Sequence, residues 1–242
     1  MKRLITLASL AVLGQQAAIA GTGYYLVVPY PNEGQRIIDF KYWNAKPAGQ
    51  PPRSSPEIGF GYNVNSRWFT EVSASWFQFS PGSNKWAALE WQNDVMLTQG
   101  EYPFDLALHI NIEHNRDPSR GVGFEFGPVL QTDIGRTQLN FNLFFDRDYR
   151  VQQIEPMQIA YQWQVKYRWK EKLAFGAQGF GEMGDWNNWL PRDKQSHRLG
   201  PALFGAWDMG GQREWKYEAA YLIGKNSARN AKSVTMRIQY GF

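Results

Sequence analysis

The chain of 242 residues contains no cysteine. This absence excludes disulfide bonds, thiolate metal sites and thiol redox chemistry. No segment beyond the N-terminal region reaches the roughly 20 consecutive apolar residues that a transmembrane helix requires, which excludes a helical membrane protein. The net charge of +4 falls to about +2 without Lys2 and Arg3, too small an excess to indicate nucleic-acid binding. We therefore expect no nucleic-acid partner and no cofactor.

The N-terminal residues have the order of features typical of a secretory signal peptide. Lys2 and Arg3 precede the apolar run from Leu4 to Gly14, and Ala18 and Ala20 place small residues where a signal peptidase cuts. The sequence therefore predicts a signal peptide at residues 1–20 and one mature domain at residues 21–242. Within that domain, residues 21–35 contain Pro29, Pro31 and Gly34, which predicts an extended leader. In a β-barrel, such a leader would either fill the lumen or lie on the periplasmic rim.

From residue 36 onward, segments of alternating polar and apolar residues recur without a helical period, which predicts about twelve β-strands. The mean hydropathy of -0.52 is compatible with a membrane barrel, because only every second residue of a barrel strand meets lipid. Aromatic residues make up 16% of the chain, including 11 Trp and 12 Tyr, and transmembrane barrels place such residues in girdles at both membrane interfaces. The pattern predicts an all-β protein, a transmembrane antiparallel β-barrel.

The last segment repeats this alternation most regularly. Val234, Met236, Ile238, Tyr240 and Phe242 alternate with polar or small residues. The segment resembles the closing strand of Gram-negative outer-membrane β-barrel proteins, which commonly ends in Phe with another aromatic residue two positions earlier. The resemblance implies an outer-membrane location in contact with lipid and lipopolysaccharide, and it implies that Tyr240 and Phe242 form a signal for the barrel-assembly machinery.

The connections between the predicted strands alternate in length, as expected for long external loops and short periplasmic turns. The longer or more polar ones are Asn44–Pro56, Asn115–Gly121, Asp146–Pro156, Gly184–Arg198 and Lys225–Lys232. The shorter ones are Asn65–Arg67, Gly100–Pro103, Thr132–Arg136, Arg168–Lys172 and Asp208–Arg213, with Ser80–Lys85 as a short connection on the long-loop side. External cations, among them Arg116, Arg150 and Arg198, are predicted either to contact lipopolysaccharide phosphates or to form a solvated loop surface.

The polar faces of the strands are rich in carboxylates and predict an acidic lumen. The residues predicted to line it are Glu71, Glu90, Asp94, Asp105, His109, Glu113, Glu125, Lys166 and Arg237. If the Ser80–Lys85 turn pairs residues whose numbers sum to about 165, Glu71 faces Asp94 and Ser75 faces Glu90. If the Gly100–Pro103 turn pairs those summing to about 203, Asp94 faces His109 and Glu90 faces Glu113.

Three interpretations of these residues stay open: a structural polar network, a pore lining that favours cations, and a catalytic or metal-binding cluster. His109 and Asp94, with Ser73 or Ser75, have the residue types of a nucleophilic triad. Outer-membrane lipases, however, work at the lipid-facing surface, whereas these residues are predicted to face the lumen. No catalytic residue and no metal ligand is therefore assigned.

We predict a passive, porin-like channel for small solutes, and the acidic lumen favours a preference for cations. The alternatives are a closed structural or assembly-associated barrel and an outer-membrane lipid-modifying enzyme. The predicted inward glycines Gly59, Gly61, Gly123 and Gly127 leave space, which favours an open lumen over a filled core.

Overall fold

A computed structural model describes residues 24–29, 32–78, 84–151, 156–226 and 228–242. The predicted signal peptide at residues 1–20 lies outside this part of the chain. So do residues 21–23 and 30–31 of the predicted leader and residues 80–83 of the predicted Ser80–Lys85 connection.

Antiparallel strands make up most of the described chain. They are β1 (Arg36–Pro47), β2 (Arg53–Asn63), β3 (Trp68–Gln78), β4 (Asn84–Met96), β5 (Asp105–Asn115), β6 (Val122–Ile134), β7 (Thr137–Tyr149), β8 (Gln158–Lys170), β9 (Leu173–Asp185), β10 (Asn188–Trp189), β11 (Ser196–Asp208), β12 (Glu214–Asn226) and β13 (Arg229–Gly241). One 3-10 turn, Pro118–Arg120, lies between β5 and β6. Within the described residues, no helix is long and apolar enough to cross a membrane.

Twelve of these strands form one closed barrel, as predicted. Each pairs with its neighbours in chain order, and β1 pairs with both β2 and β13. β10 is a two-residue strand that pairs only with β9, which itself pairs with β8 and β11. Closure leaves no free sheet edge, so the backbone N–H and C=O groups of the ladder are satisfied within the wall.

The two faces of the wall differ sharply, because side chains of a strand alternate between them. Polar side chains on the inner face are buried, whereas large apolar side chains on the outer face are exposed. The exposed set includes Ile38, Phe40, Ile58, Phe60, Val72, Leu89, Trp91, Phe141, Phe175, Leu199, Leu203, Tyr221, Ile223 and Val234. An apolar surface this extensive is stable when it faces lipid.

The barrel has two rims. The upper rim carries the connections after β1, β3, β5, β7, β9 and β12, and the lower rim carries the others. The predicted contrast in length between the rims is weaker than expected. β1 extends to Pro47 and β2 begins at Arg53, which shortens the connection predicted at Asn44–Pro56, whereas the lower-rim connection at 97–104 is longer than predicted. Backbone pairing does not depend on side-chain polarity, so the ladder continues into segments whose polar residues suggested loops.

One predicted strand register is correct and one is wrong. Asp94 faces His109 and Glu90 faces Glu113 between β4 and β5, as predicted. Between β3 and β4 the pairing is shifted: Asp94 faces Phe69, and Glu90 faces Ser73. The shift is already present in the pairs next to the connection, such as Phe77 with Lys85, and a register irregularity lies between Ser75 and Trp76. The register of a hairpin depends on the geometry of its connection, and the pairing assumed for this connection was wrong.

The inward glycines do not leave open space. A Cβ atom added to Gly59 would lie 2.7 Å from Oε1 of Glu71, and one added to Gly61 would lie 2.6 Å from the Phe69 ring. The room above these glycines is therefore filled by side chains of the next strand. The prediction that they favour an open lumen was wrong, because a missing side chain on one strand is compensated by a larger one on its neighbour.

Candidate functional site in the barrel interior

A segment of the leader, residues 24–29, lies inside the barrel. Leu26 and Val27 are each only 1% exposed. The backbone N–H of Val27 donates to Oε1 of Gln162 at 3.1 Å, and Asn142 Nδ2 donates to the Val27 carbonyl at 2.8 Å. Side-chain amides of the wall thus satisfy backbone groups that would otherwise be buried without partners. The chain then reaches the lower rim, where Gly34 and Gln35 exchange backbone hydrogen bonds with Asn63.

Tyr24 is clamped between two side chains in the upper half of the lumen. Its ring stacks on Trp43 with centroids 4.2 Å apart, and the Arg198 guanidinium lies 4.2 Å from the Tyr24 centroid. Asn226 donates a hydrogen bond to the hydroxyl at 2.8 Å. Burial raises the pKa of Tyr24, with the Arg198 charge acting in the opposite direction. The phenol therefore stays neutral, and its stacking and hydrogen bond are retained across the physiological pH range.

Buried ion pairs surround Tyr25, the next leader residue. Lys41 Nζ lies 2.8 Å from carboxylate oxygens of both Glu57 and Glu71, and 4.3 Å from the Tyr25 ring centroid. On β13, the Nε atom of Arg237 donates to Asp39 at 2.8 Å. Two of the predicted lumen residues, Glu71 and Arg237, thus belong to compensated pairs on β1, β2, β3 and β13. Burial raises the pKa of the Tyr25 hydroxyl well above its ordinary value.

His109 lies between two carboxylates on the opposite side of the barrel. Its Nδ1 atom is 2.6 Å from Oδ1 of Asp94, and its Nε2 atom is 3.3 Å from Oε1 of Glu125, outside hydrogen-bond geometry. The ring also packs on Phe144 with centroids 4.8 Å apart. A serine would have to occupy the Glu125 side of the ring to form a nucleophilic triad. Because Glu125 is there, this arrangement argues against the triad.

Above His109, five carboxylates of β4 to β7 form what we call the acidic wall: Glu90, Glu113, Glu125, Asp146 and Asp148. Glu113 and Asp148 approach each other over Gly123, where an added Cβ would lie 3.3 Å from Glu113 Cβ and 3.2 Å from Asp148 Oδ1. Within the described chain, Oε1 of Glu113 and Oδ1 of Asp146 are buried without a hydrogen-bond partner. The cation that acts on Glu113 and Asp148 is Arg120, at the upper rim.

The lower half of the lumen is lined instead by amides. Gln138 Nε2 and Asn140 Nδ2 both donate to Gln131 Oε1, at 2.6 and 3.0 Å. Two further side-chain hydrogen bonds extend this network: Gln178 donates to Gln164 at 2.8 Å, and Gln164 donates to Asn140 at 3.2 Å. The lower half of the lumen thus contains a hydrogen-bonded group of neutral amides that the acidic wall above it lacks.

No protein-family model matches the chain, and no curated protein matches it in sequence. Among solved structures, an outer membrane channel from Pseudomonas putida F1 is similar with a TM-score of 0.62 and 8% identity, covering 92% of this chain and 98% of that chain. The NanC porin is similar with a TM-score of 0.57 and 11% identity, covering 84% and 98%. The KdgM porin has a TM-score of 0.52 and 12% identity, covering 84% and 99%.

At identities this low, the structural similarity establishes a shared fold and nothing more. That fold agrees with the closed ladder and the apolar outer surface of the barrel. The protein has the fold of an outer-membrane β-barrel. Tyr240 and Phe242 stack on each other on the outer face of this barrel, with centroids 5.5 Å apart. The backbone of Phe242 closes the seam through two 2.8 Å hydrogen bonds with Arg36. A role of the two aromatic residues in assembly stays a prediction.

The remaining predicted lumen residues lie apart from the acidic wall of the outer-membrane barrel. Asp105 lies at the lower rim, where its carboxylate accepts a 3.3 Å hydrogen bond from the Gly100 backbone. Lys166 is in the lower half of the lumen, with its Nζ atom 5.5 Å from the Phe204 ring centroid. Their roles in the lining of a pore also stay predictions.

Sequence reasoning placed Arg198 in an external loop, which was wrong. β11 begins at Ser196, so Arg198 points into the barrel, is 2% exposed and pairs with Glu182 at 2.7 Å. The sequence analysis did not assign Trp43 to the lumen, and it left open whether the leader, with Tyr24 and Tyr25, fills the barrel or lies on its periplasmic rim. The alternation of β1 was the available signal for Trp43, because it shares a face with Asp39 and Lys41.

Proposed function

We propose that the protein is a passive outer-membrane channel for small polar solutes, narrowed by residues 24–29 of its leader. The observation that carries this proposal is the way those residues are held. They pair with no wall strand as a ladder and are bound through side chains such as Asn142, Gln162 and Arg237. A lumen that accommodates an extended segment has room for a small solute once that segment moves. The porins and the channel with similar folds support this function.

The acidic wall supports a preference for cations. Arg120 is the cation that acts on Glu113 and Asp148, and Lys41 acts on Glu90 without contacting it. By contrast, Asp39, Glu57 and Glu71 contact Arg237 or Lys41 directly. Physiological salt screens exposed charges over about 8 Å, a distance comparable with the radius of a narrow pore. A permeating ion therefore feels a negative potential as it passes the wall.

Conductance in planar bilayers tests the proposal. We expect small openings for the mature protein and larger, more frequent ones after deletion of residues 21–34. In a salt gradient, the reversal potential should indicate cation preference, and Glu90→Gln combined with Glu113→Gln should move it toward zero. Arg192→Gln, which changes an exposed loop residue, is the control and should move it less.

The alternative is a closed barrel with a structural or assembly-associated role. The tight enclosure of residues 24–27 and the paired charges around Lys41 support it. Absence of conductance both before and after deletion of the leader would favour this alternative. Anion selectivity would instead support the proposed channel and contradict the proposed role of the acidic wall.

The proposal includes partners and processing. Residues 1–20 would direct export as a signal peptide, and the barrel-assembly machinery would read Tyr240 and Phe242. The upper rim would face the outside, where Arg116 and Arg150 would contact lipopolysaccharide phosphates.

A further inference from the structure

A cavity of about 220 Å³ lies in the lower half of the lumen, below the leader residues Val28 and Pro29. Amide side chains, including Gln131, Gln138 and Gln164, form part of its lining. Lys166 lines both this cavity and a second depression bordered by lower-rim residues of the β8–β9 turn. The cavity and this depression at the lower rim thus lie next to each other.

The cavity contains a cation that contacts no carboxylate among the described residues. Lys166 forms no hydrogen bond or ion pair within the described chain, and its Nζ atom lies 5.5 Å from the Phe204 ring centroid. The other cations of the lining are engaged: Lys216 pairs with Glu214 at 2.8 Å, and Arg237 pairs with Asp39. The Lys166 ammonium thus has three N–H donors available to a ligand.

The cavity also contains an anion that contacts no cation among the described residues, although Arg237 and Lys166 act on it from beyond contact distance. Glu218 accepts one long hydrogen bond, 3.5 Å from Gln178 Nε2, and forms no ion pair there. Its neighbour across the β12–β13 ladder is Arg237, whose guanidinium is directed to Asp39. Lys166 and Glu218 are therefore opposite charges that line one cavity without contacting each other.

We infer that this cavity binds a small zwitterionic solute, with its carboxylate at Lys166 and its ammonium at Glu218. Partly buried charges without partners are unfavourable, and a ligand that supplies both complements relieves both costs at once. An anion alone would leave Glu218 without a partner, and a cation alone would leave Lys166 without one. The surrounding amides would serve the polar groups between the two ends of the solute. The inference names the solute class of the proposed channel and rests on that function for transport, although binding itself needs no transport.

Calorimetry on the purified full-length mature barrel in detergent tests the inference with ω-amino acids of increasing spacer length: glycine, β-alanine, 4-aminobutyrate and 5-aminopentanoate. We expect one spacer length to bind best. The amine and the carboxylate of that same length, each lacking the other charge, should bind at least about tenfold more weakly, because each loses one charge-assisted contact.

Variants separate this site from general charge effects. Lys166→Gln and Glu218→Gln should each weaken binding at least about tenfold, since each removes one charged partner. Lys172→Gln and Glu171→Gln are matched controls in the exposed β8–β9 turn and should not change binding. The exchange Lys166→Glu with Glu218→Lys should bind the zwitterion better than either single charge removal, because the solute can reverse its orientation.

Absence of binding across the series would overturn the inference, as would equal binding of a neutral sugar or unchanged binding in Lys166→Gln and Glu218→Gln. Binding by the wild-type protein decides the question even if a variant fails to fold. Binding without conductance would contradict the proposed channel and support the binding site. Conductance without binding would support the channel and contradict the binding site.

Discussion

Arg237 on β13 is joined to Asp39 on β1 by hydrogen bonds from Nε at 3.1 and 2.8 Å, although the two residues are 198 positions apart. The same guanidinium donates to the Leu26 carbonyl at 3.0 Å. One side chain therefore links the first strand, the last strand and the leader. The contact ties closure of the barrel to the position of the segment inside it.

Arg237→Ala should destabilise the barrel strongly, because it leaves the fully buried Asp39 without its main cation. Breaking one side of a buried pair costs about 3–5 kcal/mol. On a denaturing gel, an unheated closed barrel migrates differently from the unfolded chain. The denaturant midpoint at which the band of the folded barrel disappears measures the loss of stability. Arg168→Ala, which breaks an exposed pair with Asp133, is the control and should cost under about 1 kcal/mol. Equal midpoints for the two variants would contradict the importance of the seam pair.

Tyr24→Ala should release the leader. It removes stacking on Trp43 worth about 0.5–1.5 kcal/mol and a cation–π contact with Arg198 worth about 1–2 kcal/mol. Together these contributions should raise the open population about tenfold or more, measured as open probability in single-channel recordings. Tyr102→Ala, at an exposed lower-rim position, is the matched control. An open probability equal to that of the control would show that Tyr24 does not hold the leader.

Gly205→Ala should destabilise β11 and β12 through a steric conflict. The added Cβ would lie 2.2 Å from Cε1 of Tyr217, which covers the glycine. Overpacking of this kind costs about 1–3 kcal/mol, measured by the same denaturant midpoint. Combining Gly205→Ala with Tyr217→Ala should cost less than the sum of the two single changes, because the conflict disappears. Strict additivity would mean that the ring moves aside freely.

The assignment of the upper rim to the outside predicts a labelling pattern. A cysteine introduced as Asn188→Cys should react with a membrane-impermeant maleimide on intact cells. Lys170→Cys, at the lower rim, should react only after the outer membrane is opened. Because the chain has no native cysteine, each signal reports one position. The opposite pattern would invert the barrel.

Phe242→Ala should lower the yield of assembled barrel in cells more than Phe242→Tyr does. The backbone of Phe242, which hydrogen-bonds with Arg36, is unaffected by either change, so the difference would report the aromatic side chain. Phe141→Ala removes another exposed outer-face aromatic residue and is the control. If Phe141→Ala lowers the yield as much as Phe242→Ala, the effect is general lipid contact and not recognition.

The number of strands and the inward or outward direction of their side chains followed from the sequence alone. Both depend on the local geometry of a strand, in which neighbouring side chains point to opposite faces. The residues from Val234 to Phe242 showed this most clearly. For the same reason the sequence placed Glu90, His109 and Glu113 on one inner face, and the predicted register between β4 and β5 was correct.

The partners of those side chains were decided by the tertiary structure. The pairing of β3 with β4 places Glu71 opposite Gln92 and not opposite Asp94. Extension of β11 places Arg198, which was predicted in a loop, inside the lumen. The leader contacts side chains more than a hundred positions away, as in the hydrogen bond between Val27 and Gln162. Such contacts exist only after the ladder has closed, because closure sets which distant strands face each other across the barrel. The alternation of side chains along one strand carries no information about which residues of distant strands will meet.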